Sequence, residues 1–355
     1  MDRIARLLNT STRSSRILEI GPSHAPAAPK SGGWNTFVVD HTSREELKKK
    51  FAHVDVNLDA IEEVDGIWQG GPLQEAVPTQ LRGSFDTLIA SHVIEHIPDL
   101  AGFLVSAQQL LTATGVVALA IPDRRFCFDY FKPQTMTGDV LEAHVLKRSR
   151  HALHTVWNQT AYSATWDNTI AWGQHPIREP AFMNSFAGAE AGLQTFSDAQ
   201  SAPYVDCHSW HFTPAGFSLV VLELAQLGII DWHLDELYGS EGCEFFAFLR
   251  RGANPIADPV VLQERRMGLL REQLVEMRDQ VDFVLGASAA PATGPDPAPA
   301  PRFQVNGEAQ QLAELTSLLR DQQTSLREIQ ITAAWVREIL RPARVVRRIF
   351  RGSRP

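Results

Sequence analysis

The sequence predicts an α/β protein centred on an open, mostly parallel sheet that is closed by a C-terminal antiparallel hairpin. Three observations carry this expectation. Short apolar runs with β-branched members recur through residues 16–123, separated by helical or loop crossovers, which is the pattern of a parallel sheet. A clear helical stretch, TPAGFSLVVLELAQLG (213–228), precedes IIDWHLDEL and CEFFAFLRR, two strand-like runs joined by a short YGSEG turn. Finally, 44% of the 355 residues are apolar, enough for a sizeable core.

RILEIG (16–21) reads as a first strand ending on glycine, and NTFVVD (35–40) as a second ending on an acid. EEVDGIW (62–68) is a weaker third and FDTLIAS (85–91) a fourth. A helix follows over about 99–112, then GVVALAIPD (115–123) as the fifth. The hairpin raises the count to seven. Between about 130 and 206 the pattern breaks down into a segment rich in tryptophan (Trp157, Trp166, Trp172) and histidine (His144, His151, His154, His175), with one helix near 138–152. An insertion of that length is usually a lid or specificity element, the alternative being a cap on the sheet edge.

Residues 1–251 thus form one domain. Over 258–286, Val260, Met267, Leu270, Leu274, Met277, Val281 and Val284 follow 3-4 spacing and predict a helix or coiled coil. A Pro/Ala-rich linker occupies 287–305. Residues 306–341 repeat apolar positions over four heptads with Gln322 as a polar core position, a coiled-coil signature that predicts self-association. The tail 342–355 is basic and amphipathic, suited to an anionic membrane surface or a partner protein.

The net charge is −8, and residues 341–355 hold six arginines and no acid, so the remainder carries about −14. That balance argues against nucleic-acid binding. Cys127, Cys207 and Cys243 stand far apart without CxxC spacing, which gives no zinc framework and fits a reducing compartment. The first residues lack the apolar centre of a signal peptide. The expectation is a cytoplasmic protein, with the tail allowing peripheral contact with the inner face of the membrane.

Within SHVIEH (91–96), His92, Glu95 and His96 fit H-x-x-E-H. Zinc ligation by that pattern needs His92 and His96 on one helical face. Here a strand precedes the motif, and Pro98 suits the first turn of a following helix. The motif therefore reads as a strand-to-helix loop, and a metal site is not predicted.

Ligands of open α/β sheets bind where the strands' carboxyl ends meet a switch in strand order. That edge gathers Glu19, Gly21, Asp40, Asp65, Ser91 and His92, with Pro22 and His41 beside them. A dinucleotide needs G-x-G-x-x-G, but Gly21 begins GPSHAP, with Ser23 and Pro26 at the later glycine positions. The prolines lack an N–H, and no helix N-terminus follows directly. A ligand that carries a cation and an amino acid suits the site better, with Glu19 attracting an ammonium group.

LEIGPSHAP, FVVDH, EEVDGIW, FDTLIASHVIEHIPDL and TGVVALAIPDRRF together resemble the motifs of class I S-adenosylmethionine-dependent methyltransferases, over about residues 14–251. The similarity is closer to a bacterial branch found with surface-polysaccharide and O-antigen enzymes, in which a G-P-x-x-x-P loop replaces the first helix. The resemblance implies a Rossmann-like seven-stranded sheet and S-adenosylmethionine as cofactor. It implies that Asp40 binds the ribose hydroxyls, that Glu19 and Gly21 lie against the methionine portion, and that Asp65 meets the adenine amino group, with Asp55 and Asp59 competing. Ser91 and His92 would line the methionine end, while His96 reads as structural. The implied reaction is O-methylation of a sugar hydroxyl in a surface glycan or its lipid-linked precursor.

A sugar hydroxyl gains from a general base. The candidates are Asp206, His208 and His211 in YVDCHSWHF, where extended geometry would pair Asp206 with His208, and His175 in the insertion. Helix capping is an equal reading for Asp206 and His208. A methylase of another small molecule would share every cofactor residue. A non-catalytic scaffold is disfavoured by the presence of Glu19, Gly21 and Asp40, and a nicotinamide oxidoreductase by the missing glycines.

Overall fold

The computed structural model describes residues 2–285 except 175, 176, 178, 179, 195 and 198–203. The expected linker, second coiled coil and basic tail lie outside the described residues, as does His175. The chain divides into compact units Met1–Ala289 and Ala290–Pro355, and every described residue belongs to the first.

A short helix α1 (Arg3–Leu7) precedes β1 (Arg16–Ile20), β2 (Asn35–Asp40) and α2 (Arg44–Phe51). Then come β3 (Gly66–Ile67), β4 (Phe85–Ser91), α3 (Leu100–Leu110) and β5 (Leu111–Pro122). The insertion contains α4 (Thr137–Val145), α5 (Leu153–Tyr162), the two-residue strands β6 (Ala164–Thr165) and β7 (Ala181–Phe182), and α6 (Phe186–Gln194). The domain ends with α7 (Pro214–Gln226), β8 (Trp232–Glu241), β9 (Glu244–Arg251) and α8 (Pro259–Leu285).

The main sheet is seven-stranded and Rossmann-like, in the order β3-β2-β1-β4-β5-β9-β8. Its first five strands run parallel, and β9 lies antiparallel between β5 and β8. Side-chain alternation divides the core between two faces. Leu18, Leu88, Val117, Leu119, Phe245 and Ala247 face α3 and α7 in the larger cluster. Ile17, Ile89, Val116, Ala118, Phe246 and Phe248 face the opposite side, where Leu7 of α1 and Ala27–Ala28 cover them. That second layer is thin because GPSHAP leads through a single 3-10 turn at Lys30–Gly32 into β2, with no α-helix between β1 and β2.

Local chemistry sets the helix starts. The Asp99 carboxylate accepts the Gly102 amide at 2.8 Å and caps α3, so Pro98 stands just before the cap. Thr213 caps α7, with Pro214 in its first turn.

Four expectations differ in detail. The third strand shrinks from 62–68 to two residues, and the fifth begins at Leu111 through an irregularity opposite Phe85 and Thr87. The helix expected near 138–152 ends at Val145, and Lys147 adopts φ 48°, which an α-helix cannot continue through. The hairpin strands run on to Glu241 and restart at Glu244, so Gly242 (φ 59°) and Cys243 make the turn that YGSEG was expected to make.

The helix expected over 258–286 forms and packs along α7. Arg266 Nε donates to Glu223 at 2.6 Å, and Glu276 accepts the Ala215 amide at 3.2 Å. Among its described side chains Leu269, Gln273 and Gln280 are buried, whereas Met267, Leu274 and Val281 of the predicted stripe are exposed. Among the described residues no helix is long and apolar enough to cross a membrane.

The shortness of β3 yields a test. A Cβ at Gly66 would collide with the Ala76 carbonyl, which is backbone and cannot swing away. Gly66→Ala should therefore destabilise the domain by about 1–3 kcal/mol, read as a lower denaturant midpoint with an unchanged m-value.

Candidate active site

Strand order reverses direction between β1 and β4, so the crevice at their carboxyl ends is the switch point of the sheet. Gly21 stands there at φ 60°, its amide donating to the Val39 carbonyl at 2.7 Å. An added Cβ would lie 3.0 Å from Val93 Cγ2, so the loop after β4 closes directly against bare backbone. Pro22 opens a turn in which the Ala25 amide donates to the Pro22 carbonyl. Asp40, at the end of β2, is buried. Its Oδ2 accepts the Ser23 amide at 3.1 Å, and its Oδ1 faces the His41 amide and ring Nδ1 at 2.7 and 2.6 Å.

Two members of the expected cofactor set are turned elsewhere. Glu19 alternates away from the crevice, and its carboxylate accepts the Ala27 and Ala28 amides at 2.6 and 3.2 Å. It is 2% exposed, and burial pushes its pKa up to about 7 against those two hydrogen bonds. The side chain organises the covering loop and does not present an acid to a ligand's ammonium. Asp65 lies at the start of β3, where Oδ2 accepts from Lys30 Nζ and the Val38 amide. The residues that follow β3 toward the crevice are Trp68, whose amide donates to the Asp40 carbonyl, and Gln69, whose Nε2 donates to the His41 carbonyl.

Ser91 and His92 end β4 as expected, and His92 holds φ 52°. Their side chains join an ion network that sequence reasoning missed. Because β9 runs antiparallel, its first residue, Glu244, pairs with Pro122 at the same edge. Glu244 accepts from His92 Nε2 at 2.8 Å and from Arg3 Nε at 2.6 Å, while Arg3 Nη2 donates to Ser91 Oγ. Burial opposes charge on Glu244, but the His92 and Arg3 hydrogen bonds outweigh it and lower the pKa.

The second cluster lies where the 94–96 turn meets the segment before α7. The Ser209 amide donates to the Glu95 carbonyl at 2.6 Å and holds the two backbones together. The predicted Asp206–His208 pair does not form. Asp206 Oδ1 accepts from His96 Nδ1 at 2.8 Å, and that hydrogen bond draws the carboxyl pKa down to about 2. His208 Nδ1 instead donates to Asp129 Oδ2 at 2.6 Å. The physical reason is that 206–212 contributes only an isolated bridge at Phe212 and no strand, so successive side chains do not alternate as in a ladder.

Asp129 is 1% exposed and also accepts from the fully buried Lys132 Nζ at 2.7 Å. Burial disfavours its charge, yet His208 and Lys132 hold its pKa well below the usual range. His96, expected to be structural, lies with its ring edge-to-face against His208 at 4.5 Å between centroids. His211 is enclosed, its ring nitrogens 3.1 Å from the Pro133 and His208 carbonyls, and burial lowers its pKa to about 3. His211 borders the adjoining cavity, but with both ring nitrogens facing backbone carbonyls it turns no lone pair toward a ligand there.

A cavity of about 310 Å³ opens beside this segment, lined by Thr135, Arg148, His151, Asn158, Trp210 and others. His151 crosses its wall, 2.6 Å from Ser209 Oγ and 3.0 Å from Tyr204 Oη. The amide of Gln134, also at the wall, is buried with neither polar atom hydrogen-bonded. Trp172 packs with Tyr130, Ala164 and Ile177 in a small core of the insertion, and Trp157 meets Phe186. Those tryptophans support the cap and do not line the cavity.

Residues 1–168, just under half of the chain, match the family model of a methyltransferase domain. That match spans β1 to β5 and the start of the insertion. No curated protein matches the chain. Among solved structures, it is similar to the trans-methyltransferase CalH in complex with SAH (15% identity, 70% of this chain, 54% of that chain, TM-score 0.33). It is similar also to a chain from Rhodobacter sphaeroides described as a Zn-dependent alcohol dehydrogenase (11% identity, 71% and 91%, TM-score 0.39). A third is a SAM-dependent methyltransferase from Methanosarcina mazei (12% identity, 72% and 99%, TM-score 0.35). This chain spans about half the length of the first, and with TM-scores below 0.5 these likenesses carry no functional argument.

The buried wall of the cavity gives a pH test. Burial lowers the His151 pKa from 6.5 to about 4, so the folded state keeps this imidazole neutral where the unfolded chain protonates it. The stabilisation is complete above pH 6.5 and is lost as pH falls toward 4, by about 2 kcal/mol between pH 7 and pH 5. His151→Gln should flatten the pH dependence of the unfolding free energy by that amount in urea titrations at the two pH values.

Proposed function

We propose that the protein is an S-adenosylmethionine-dependent methyltransferase that O-methylates a sugar hydroxyl of a surface glycan or its lipid-linked precursor. The observation that carries the cofactor is the Asp40 carboxylate at the end of β2, held by the Ser23 amide of the loop that begins at Gly21, at the switch point and inside the stretch that matches a methyltransferase domain.

The donor set fits that cofactor. Asp40 offers carboxylate oxygens to ribose hydroxyls, which would exchange with the Ser23 amide that now occupies Oδ2. Gly21 lets the loop after β4 close against it, Trp68 and Gln69 follow the β3 end, and Glu244 with Arg3 supplies both charges for an amino acid. The absence of a helix after Gly21 removes the usual anchor for a pyrophosphate. When bound, the cofactor supplies an electrophilic methyl group on a cationic sulfur.

The residues around the acceptor have the remaining tasks. A cavity edged by Arg148, Thr135, Asn158 and one tryptophan, Trp210, suits a polyol with an anionic neighbour. His96 and His208 each hold a carboxylate on Nδ1, which leaves Nε2 of each as the atom available to a ligand. The insertion serves as the lid over this region. The heptads of 306–341 support self-association, and the arginine-rich tail supports docking at an anionic membrane surface near lipid-linked acceptors.

Calorimetric titration with S-adenosylhomocysteine and with NAD separates this reading from an oxidoreductase. Binding of the former alone is expected, and Asp40→Ala should weaken it more than tenfold, or about 1.4 kcal/mol. An unchanged affinity would remove Asp40 from the site. Transfer of labelled methyl groups to nucleotide-sugar and lipid-linked oligosaccharide pools then tests the acceptor class.

A further inference from the structure

We propose that Glu95, His96 and His208 bind one divalent transition-metal cation. Each offers a ligand atom, and the three atoms lie within 4.8 Å of one another. Glu95 is 0% exposed, and neither carboxylate oxygen has a hydrogen-bond partner. A buried carboxylate without donors is costly, and such groups in native proteins are normally satisfied. Its nearest cationic atoms are His92 Nδ1 at 3.7 Å and His96 Nε2 at 3.9 Å, both beyond hydrogen-bond reach.

The histidines are prepared for a cation in the same way. Asp206 accepts the Nδ1 proton of His96, and Asp129 accepts that of His208. Each carboxylate thereby fixes its ring in the tautomer whose Nε2 lone pair is free, the arrangement by which outer carboxylates orient metal-bound imidazoles. The Ser209–Glu95 backbone hydrogen bond sets the two contributing segments in register. Tetrahedral ligands at 2.0–2.1 Å stand roughly 3.3 Å apart, so the three atoms, 3.9 Å apart for Glu95 Oε1 and His96 Nε2 and within 4.8 Å as a set, draw together on a cation by side-chain rotation.

Two imidazole nitrogens and one carboxylate favour a zinc-like ion over magnesium or calcium, which take oxygen ligands. The sequence pattern H-x-x-E-H was set aside because His92 and His96 share no helical face. Here His92 turns to Glu244, and His208, from 112 positions beyond His96, takes the place it would have held. Three protein ligands leave a fourth position open. On the methyltransferase reading, that position takes the acceptor hydroxyl and lowers its pKa. The hydroxyl proton passes to solvent, an O–CH3 bond forms as the methyl–sulfur bond breaks, and that electron pair stays on sulfur as a neutral thioether.

The test uses the full chain, stripped with chelator and then titrated with Zn2+ alone and Mg2+ alone, with bound metal measured after equilibrium dialysis. One Zn2+ equivalent is expected at an affinity at least a hundredfold above that for Mg2+. Glu95→Gln and His208→Asn should each lose at least tenfold, while His53→Asn, an exposed histidine on another surface, should match the parent chain. Asp206→Asn keeps all three ligands and should lose about 10–100-fold, and Co2+ in the parent should show visible bands of a low-coordinate site that Glu95→Gln abolishes. Near-UV circular dichroism of the metal-free variants controls for folding. Equal Zn2+ binding by the parent, Glu95→Gln and Asp206→Asn overturns the site, as does a parent that binds none. Because the titration contains no methyl donor, its failure leaves the methyltransferase reading standing, and failure of S-adenosylhomocysteine to bind leaves the metal site standing.

Discussion

Burying a carboxylate costs several kcal/mol unless charges and hydrogen bonds surround it, and the organisation of the acceptor side follows from how Asp129 meets that condition. It lies just after β5, where the chain leaves the sheet, and recruits Lys132 from three residues on and His208 from 79 residues on. Gln159 of α5 then accepts from Lys132 Nζ at 2.5 Å and takes the His208 amide at 3.2 Å. One acid therefore joins the beginning, middle and end of the insertion. Removing either partner would leave an uncompensated ion in a dry place, which explains why a segment with so little regular structure holds a defined position. Arg124 adds a second tie, donating to the Tyr130 and Lys132 carbonyls and to Gln280 of α8.

The two polar clusters at the sheet edge differ in how their charges are settled. Around Glu244 every charge meets an opposite one: Arg3, His92 and the Ser91 hydroxyl close the network. Around Glu95 the balance is left incomplete, with two imidazoles prepared by outside acids and one inner carboxylate short of donors. Such unfinished satisfaction of a fully buried carboxylate, with both oxygens short of donors, is characteristic of places that expect another molecule or ion.

Much of the scaffold was legible from residues alone. β1, β2, β4 and the hairpin announced themselves as apolar runs bounded by turn residues, and α7 by its cap and apolar spacing. What failed were features decided by tertiary space. Only glycine fits at position 66, because the neighbouring Ala76 carbonyl leaves no room for a side chain, and β3 pairs with β2 over just two residues. Lys147 breaks a helix whose propensity would have continued it. At the candidate site, the places of Gly21 and Asp40 were readable because strand ends fix position. Glu19 was misread because period-two alternation turned it to the covering loop. The partnership of Asp129 with His208 joins residues too distant for any local pattern, though D-x-x-K at 129–132 carried a faint sign of a paired acid.

The contact between Arg3 and Glu244 spans 241 positions of chain. Contacts of such long range are entropically late to form, because the intervening loops must close first. The rim beside Ser91 and His92 is therefore complete only when the hairpin is docked on β5, since Glu244 comes from the hairpin and Arg3 from the opposite end of the domain's chain. By the same logic it is a natural first place for fraying, and a ligand that bridges both halves of the rim would act as a clasp on the whole sheet.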